Sequence, residues 1–274
     1  MSEIAGAAYE VFALRYGTRE SQRSAEYFRY DLYEVPDAPQ RMDYYFWLVR
    51  NAERTVLVDC GFDRERGALK HRTQTTSPEE LLARVGVSPE DVDHVVVSHM
   101  HYDHIGNIGA FPRATVSVMR DEYEFWTGPI GHKPLMESVV LPEERGIMER
   151  LRADGRVRLL DRREEVAPGI TAIRVGGHTP GQAIVQVVAS TGTIVLASDA
   201  IHYYDELTHD WPFRLFDGLG DSYRAFDVLR ELEASGATLI AGHDPRVTEL
   251  FTEIAPDCFD LTAPLSTVRP TERH

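Results

Sequence analysis

The chain of 274 residues carries 29 basic against 44 acidic side chains, a net charge of -15, with 43% hydrophobic and 27% charged residues. These are the proportions of an ordinary globular protein able to bury a substantial core. The acid excess disfavours nucleic acid and anionic membrane surfaces as partners, because both demand concentrated Lys and Arg.

Glu10–Tyr16 reads as the first strand, and 44–50 with 55–59 as a hairpin turning at Asn51-Ala52-Glu53-Arg54. Ser77-Pro78-Glu79-Glu80 opens a helix, with a capping Ser, Pro at the first helical position and Glu three residues after the Ser, and Gly86 closes it. A strand at 92–97 leads into His99-Met100-His101-Tyr102-Asp103-His104; a strand at 114–118 and helices at 120–126 and 143–153 follow. Further strands are expected at 157–160, 170–175, 183–189, 193–198 and 238–241, with a helix over 221–235 carrying Tyr223, Phe226, Leu229 and Leu232 on one face. Strands and helices mixed in this order predict two β-rich layers with helices outside, in one domain spanning 1–274. Three aromatic-, Pro- or Gly-rich stretches, 17–42, 127–142 and 203–220, fit no element and are expected to act as lids.

No apolar run approaches the roughly 20 residues that cross a bilayer. The opening Met1–Ala8 has no basic segment followed by an apolar one, and Cys60 and Cys258 stand far apart, so a reduced cytoplasmic setting is expected.

The stretch 99–104 places three His and one Asp within six residues, directly behind an apolar strand. Neutral imidazoles beside a carboxylate suit a borderline divalent metal such as zinc. His94, a lone His inside the strand, is read as a satisfied core residue. His178 in Gly-Gly-His-Thr-Pro-Gly, Asp199 in Ala-Ser-Asp-Ala and His243 in Ala-Gly-His-Asp each follow a strand as well. Individually each could be a turn or cap residue. Together they set seven ligands at carboxyl ends of strands, an edge where mixed sheets commonly bind ligands.

Five His and two Asp exceed the needs of one tetrahedral ion, and two ions sharing a carboxylate would use them all. His99 and His101 point to one side of extended backbone and could join His178. Asp103, His104 and His243 could form the second site, with Asp199 as the bridge.

The pattern H-x-H-x-D-H followed by separate His, Asp and His resembles the metallo-β-lactamase superfamily, with all seven positions present in order over roughly 44–243. The resemblance implies an α/β fold, an αββα sandwich of two mixed β-sheets flanked by helices, and a centre of two divalent ions, zinc by donor type. The turn Val58-Asp59-Cys60-Gly61 resembles the family's D-x-G turn, with Asp59 orienting a ligand. Two such ions imply hydrolysis by metal-bound hydroxide, with Asp103 able to handle a proton as the leaving group departs.

Within the superfamily, Ser98–Asn107 followed by Phe111-Pro112, together with Gly177–Gly181, resembles the N-acyl homoserine lactonase group. The expected substrate is a small lactone or ester, with another ester, a glyoxalase II-like thioester or a cyclic amide as alternatives, and a non-enzymatic binding module least favoured. A homodimer is a candidate assembly. One position departs from the group. Where its members carry Tyr three residues after the bridging Asp, this chain has His202, followed by Tyr203 and Tyr204. His202 or Tyr203 is therefore the candidate hydrogen-bond donor to the substrate carbonyl.

Overall fold

The computed structural model describes residues 8–265; residues 1–7, on which the reading of the opening segment rests, lie outside that span. Nine strands make the first sheet: β1 (Glu10–Gln22), β2 (Pro39–Arg50), β3 (Thr55–Val58), β4 (Thr73–Gln74), β5 (His94–Val97), β6 (Thr115–Met119), β7 (Val157–Leu160), and two described last. The second sheet holds β8 (Arg163–Ala167), β9 (Ile170–Arg174), β10 (Ala183–Ala189), β11 (Gly192–Ser198) and β12 (Thr238–Ala241). The chain then returns to the first sheet as β13 (Phe251–Ala255) and β14 (Cys258–Pro264).

The first sheet runs β13-β14-β1-β2-β3-β5-β6-β7, with β4 paired to β1; the second runs β12-β11-β10-β9-β8. Both are mixed. In the first, β3, β5, β6 and β7 pair in parallel beside antiparallel neighbours. In the second only β11 and β12 are parallel. The main helices are α1 (Arg23–Glu26), α2 (Arg64–Leu69), α3 (Pro78–Arg84), α4 (Tyr102–Ile105), α5 (Arg120–Thr127), α6 (Pro142–Ala153), α7 (Tyr204–His209), α8 (Leu219–Ala234) and α9 (Val247–Leu250).

Strand β2 explains the layering. Every residue from Met42 to Val49 is buried, and successive side chains face opposite sides. Tyr45, Trp47 and Val49 join Ala172, Val185, Leu196 and Ile240 in the core between the sheets. Tyr44, Phe46 and Leu48 face outward onto Leu81 and Leu82 of α3 and the layer that includes Met148 of α6. On the far side, Phe226 and Leu229 of α8 cover the second sheet. The αββα sandwich is thus built from alternation along strands buried on both faces. The α3 cap is also present: Ser77 Oγ accepts from the Glu80 N–H at 3.2 Å, and Gly86 closes the helix at φ +75°.

The largest difference from expectation lies in 17–42. Its ends are strand, because β1 and β2 pair from Glu10↔Arg50 out to Gln22↔Pro39, with a bulge between Arg15 and Gly17. Only 23–38 connects them. Polar side chains hide this extension, since ladder hydrogen bonds come from backbone. Strands β4, β8 and β13 were not anticipated either, being short and largely polar or half-exposed, and neither was β14, whose apolar positions Cys258, Phe259 and Leu261 are interrupted by Asp260.

Candidate metal centre

The functional residues all leave carboxyl ends of strands. Asp59 follows β3, and His99 to His104 follow β5. His178 follows β9, Asp199 follows β11 and His243 follows β12. The parallel pairs put β3, β5, β11 and β12 ends on one edge, so the two sheets converge there. All seven ligand candidates are brought together. His99, His101, His104, His178, Asp199 and His243 are buried, while Asp103 is partly exposed. Ligand atoms group within 4.8 Å as His99-His101-His178, as His99-His104-Asp199, as Asp103-His104-His243 and as His178-Asp199-His202.

Four of the five candidate imidazoles, all but His101, are held by their other nitrogen. His104 Nδ1 bonds Asp59 Oδ2 at 2.7 Å, His178 Nδ1 donates to the Leu215 carbonyl at 2.9 Å, and His243 Nδ1 to the Asp43 carbonyl at 2.9 Å. His99 Nδ1 meets Ser98 Oγ at 3.1 Å. Such backing fixes the tautomer and leaves Nε2 as an acceptor. Asp59 itself adopts φ +62° and is saturated: it also accepts the Ser98 N–H at 2.8 Å and the Ser98 hydroxyl at 2.7 Å. His94 stands apart, bonded to Ser117 Oγ at 2.8 Å.

Do these residues fit a metal? The Nε2 atoms of His99 and His104 and the Oδ1 of Asp199 are buried without a hydrogen-bond partner. His104 Nε2 lies 3.2 Å from Asp199 Oδ1, yet the two are not aligned as a hydrogen bond. Burying such atoms unpaired costs stability, whereas a shared cation satisfies them all. His178 Nε2 and His101 Nδ1 face each other at 2.9 Å, so at most one of them carries a proton. Burial, reinforced by neighbouring imidazoles, holds His99 and His101 well below the ordinary imidazole value, and His178 at about 3. Rings kept neutral are competent ligands. Burial opposes ionisation of Asp199, but His243, His104, His202 and His99 around it win, and its carboxyl lies well below the usual range. The donor set fits divalent ions.

His202 belongs to this cluster. Its Nε2 lies 3.0 Å from Asp199 Oδ2 and its Nδ1 3.3 Å from Glu206 Oε1, while its ring stacks on Phe213 at 3.6 Å. Burial lowers its pKa, but the two carboxylates outweigh that and raise it to about 9. Tyr203 goes elsewhere. Its ring packs against Tyr27 at 5.8 Å within the core, and it is not among the residues lining the cavity above the cluster. Adjacent residues diverge here because Tyr203 is the extended residue that precedes α7.

Two buried glutamates were missed. Glu122 on α5 accepts from the Met100 N–H at 2.8 Å, the Trp126 indole N–H at 2.7 Å and the Gly181 N–H at 2.9 Å. It thus ties the loop of His99 and His101 to the loop of His178. A Cβ at Gly181 would sit 2.4 Å from the Glu122 nitrogen, so only glycine allows this approach. Glu206 accepts from the N–H groups of His202 (2.6 Å), Tyr203 (3.0 Å) and Phe213 (3.2 Å), pinning the His202 turn. The one available sequence signal was an acidic residue facing inward on each short helix.

A cavity of about 320 Å³ opens over the cluster, reached by Asp103, His101, His178, Asp199, His202 and His243. Beside it lies a second lobe of about 260 Å³ walled by Phe125, Trp126, Met136, Val139, Leu215 and Phe216, and sharing His101 and His178. All three stretches read as lids contribute wall: Arg19 and Glu26 from the first, Ser138 and Val139 from the second, Phe213 to Leu215 from the third. Tyr27, Tyr30, Tyr33 and Trp211 instead form an aromatic cluster of their own. No helix among the described residues is long and apolar enough to cross a membrane.

A metal-ready edge between two mixed sheets defines a class. Residues 42–243 match the model of the metallo-beta-lactamase superfamily, and the chain belongs to that family. It is a metal-dependent hydrolase. Among relatives, it is 26% identical over 186 residues to an N-acyl homoserine lactonase of Bacillus thuringiensis, covering 62% of this chain and 69% of that one. It is 32% identical over 182 residues to the N-acyl homoserine lactonase AttM of Azorhizobium caulinodans, covering 64% and 66%. The crystal structure of a quorum-quenching N-acyl homoserine lactone lactonase superposes with a TM-score of 0.73 at 21% identity, covering 91% of this chain and 98% of that one.

Proposed function

We propose that this protein is a dinuclear zinc hydrolase that opens a lactone ring, with an N-acyl homoserine lactone or a related cyclic ester as substrate. The observation that carries the reading is the convergence of buried, partnerless Nε2 and Oδ1 atoms beside an apolar lobe. In this reading His99, His101 and His178 would hold one ion and Asp103, His104 and His243 the other, with Asp199, which lies within reach of His99, His104 and His178, available to both. The imidazole-rich set favours zinc.

Two divalent ions bound there would supply Lewis-acid activation of an ester and a water-derived nucleophile near neutrality. The protein's own groups do the rest. Asp103 borders the cavity; its carboxylate takes the proton that the attacking water gives up and passes it to the ring oxygen as the C–O bond breaks. His202, backed by Glu206 and stacked on Phe213, donates from Nε2 to the substrate carbonyl oxygen, the task that resemblance gives to Tyr in related lactonases. An acyl chain lies along Phe125, Trp126, Met136 and Leu215, where burying each methylene stabilises the complex by ~0.8 kcal/mol.

The test is a pH-indicator screen of zinc-loaded protein against lactones, thioesters, aryl esters and phosphodiesters. Ring opening of acyl lactones with KM falling as the chain lengthens supports the proposal. Hydrolysis confined to another ester class refutes it.

A further inference from the structure

The main cavity also has a cationic lining. It is bordered by Arg19, Lys70, Arg72 and Arg214. Arg19 is neutralised by Glu26 at 2.5 Å. The other three have no carboxylate partner within salt-bridge distance among the described residues. Lys70 Nζ donates to the Ser138 carbonyl at 2.6 Å and lies 5.8 Å from the Tyr102 ring centroid. Arg72 Nη1 donates to the Lys70 carbonyl at 2.6 Å, and its Nε is buried with no partner. Arg214 Nη1 donates to the Ala25 carbonyl at 3.1 Å.

This arrangement runs against the rest of the molecule. With a net charge of -15, carboxylates are plentiful, and most buried or half-buried arginines have one: Arg15, Arg66 and Arg246 each contact two or more. Half-buried Arg72 has the Lys70 carbonyl and Tyr102 as partners but no carboxylate, and its buried Nε would be completed by a ligand. The carboxylates that do line the cavity are Glu26, held by Arg19, and Asp103 and Asp199, which face the histidines. Three cations lining one cavity suit a compact anion, and an arginine fork suits a carboxylate in particular.

We infer that the substrate carries a carboxylate in addition to the scissile ester, received by Arg72 and Lys70 with Arg214 at the rim. The inference rests on the ring-opening reading and narrows it. The preferred lactone bears an acidic substituent, unlike the neutral acyl homoserine lactones. Arg72 also feels the charge of Asp103, so a purely supporting role for Arg72 is the competing outcome.

The experiment compares 5-oxotetrahydrofuran-2-carboxylate with its methyl ester, two lactones of nearly equal size, as substrates of the zinc-loaded full chain. Calorimetry of the opened product 2-hydroxyglutarate against 4-hydroxypentanoate, on zinc-loaded and zinc-free protein, gives a readout independent of turnover. We expect KM for the carboxylate lactone to be at least tenfold lower. Arg72→Gln and Lys70→Gln should each raise it about tenfold, the scale of one charge-assisted hydrogen bond, and by clearly more than they raise KM for the methyl ester. Arg72→Lys should recover most of the loss, and Arg214→Gln, an exposed change, should give a smaller effect in a fully folded protein. If neither lactone opens but 2-hydroxyglutarate still binds selectively and loses that selectivity in Arg72→Gln, ring opening is refuted and the anion site stands. Charge-blind binding, or an Arg72→Gln loss equal for both lactones, overturns the inference.

Discussion

Glu122→Gln tests whether the centre is held together from behind. Glu122 Oε1 receives the Met100 and Trp126 N–H groups and Oε2 receives that of Gly181. A glutamine can keep its carbonyl oxygen on the first pair but then turns an NH2 toward the Gly181 N–H, a donor facing a donor. One buried donor is orphaned, which costs about 1–3 kcal/mol. Glu122→Leu orphans all three and should cost at least about 3 kcal/mol on the same scale. Burial raises the Glu122 pKa against these bonds, so ionised Glu122 contributes less than its three bonds suggest and the lower end of each range is expected. Met100 sits between two ligand candidates and Gly181 lies just beyond His178, so zinc affinity should also fall, by about tenfold. Urea unfolding of zinc-free protein reads the first effect, and competition with a chromogenic chelator reads the second. A glutamine variant within ~0.5 kcal/mol of wild type and with unchanged zinc affinity would refute the assignment.

Three further outcomes follow from the same geometry. Asp59→Asn removes one of the acceptor oxygens shared by Ser98 and His104 and should weaken zinc binding about 10–100-fold in the same chelator assay, with the fold retained by circular dichroism. Glu144 is held at about 7, chiefly by burial and despite Arg66. A carboxyl raised above its unfolded value keeps its proton longer in the native state, so native stability should decline as pH rises from about 4.5 to about 7. Glu144→Gln should flatten that decline in urea midpoints taken at pH 5 and pH 8; an unchanged slope would count against it. Removing metal with a chelator should lower the melting temperature by about 5–10 °C, as loss of a ligand held at a hundredfold excess over its Kd implies for a domain of this size, measured by scanning calorimetry.

The legible parts of this protein are those where side chains carry the signal. Short apolar runs marked β2 and β10, and the Ser77-Pro78 cap marked α3. Dense ligand spacing marked His99 to His104, and isolated His178, Asp199 and His243 became interpretable only as a set with it. Asp59 was recognisable from its turn. What stayed hidden depends on backbone pairing or long-range placement. The outer half of the β1-β2 ladder is polar, and β13 is short and half-exposed. Glu122 and Glu206 look like surface acids on short helices until the loops they bind are folded over them. Tyr203 shows the limit of sequence proximity: one residue beyond His202, it turns into the core beside Tyr27.

The account depends most on seven side chains holding two ions. Elemental analysis of zinc-reconstituted, desalted protein measures that directly. Two zinc ions per chain are predicted. One ion or fewer per chain would contradict the dinuclear centre and the role given to Asp199 between its halves.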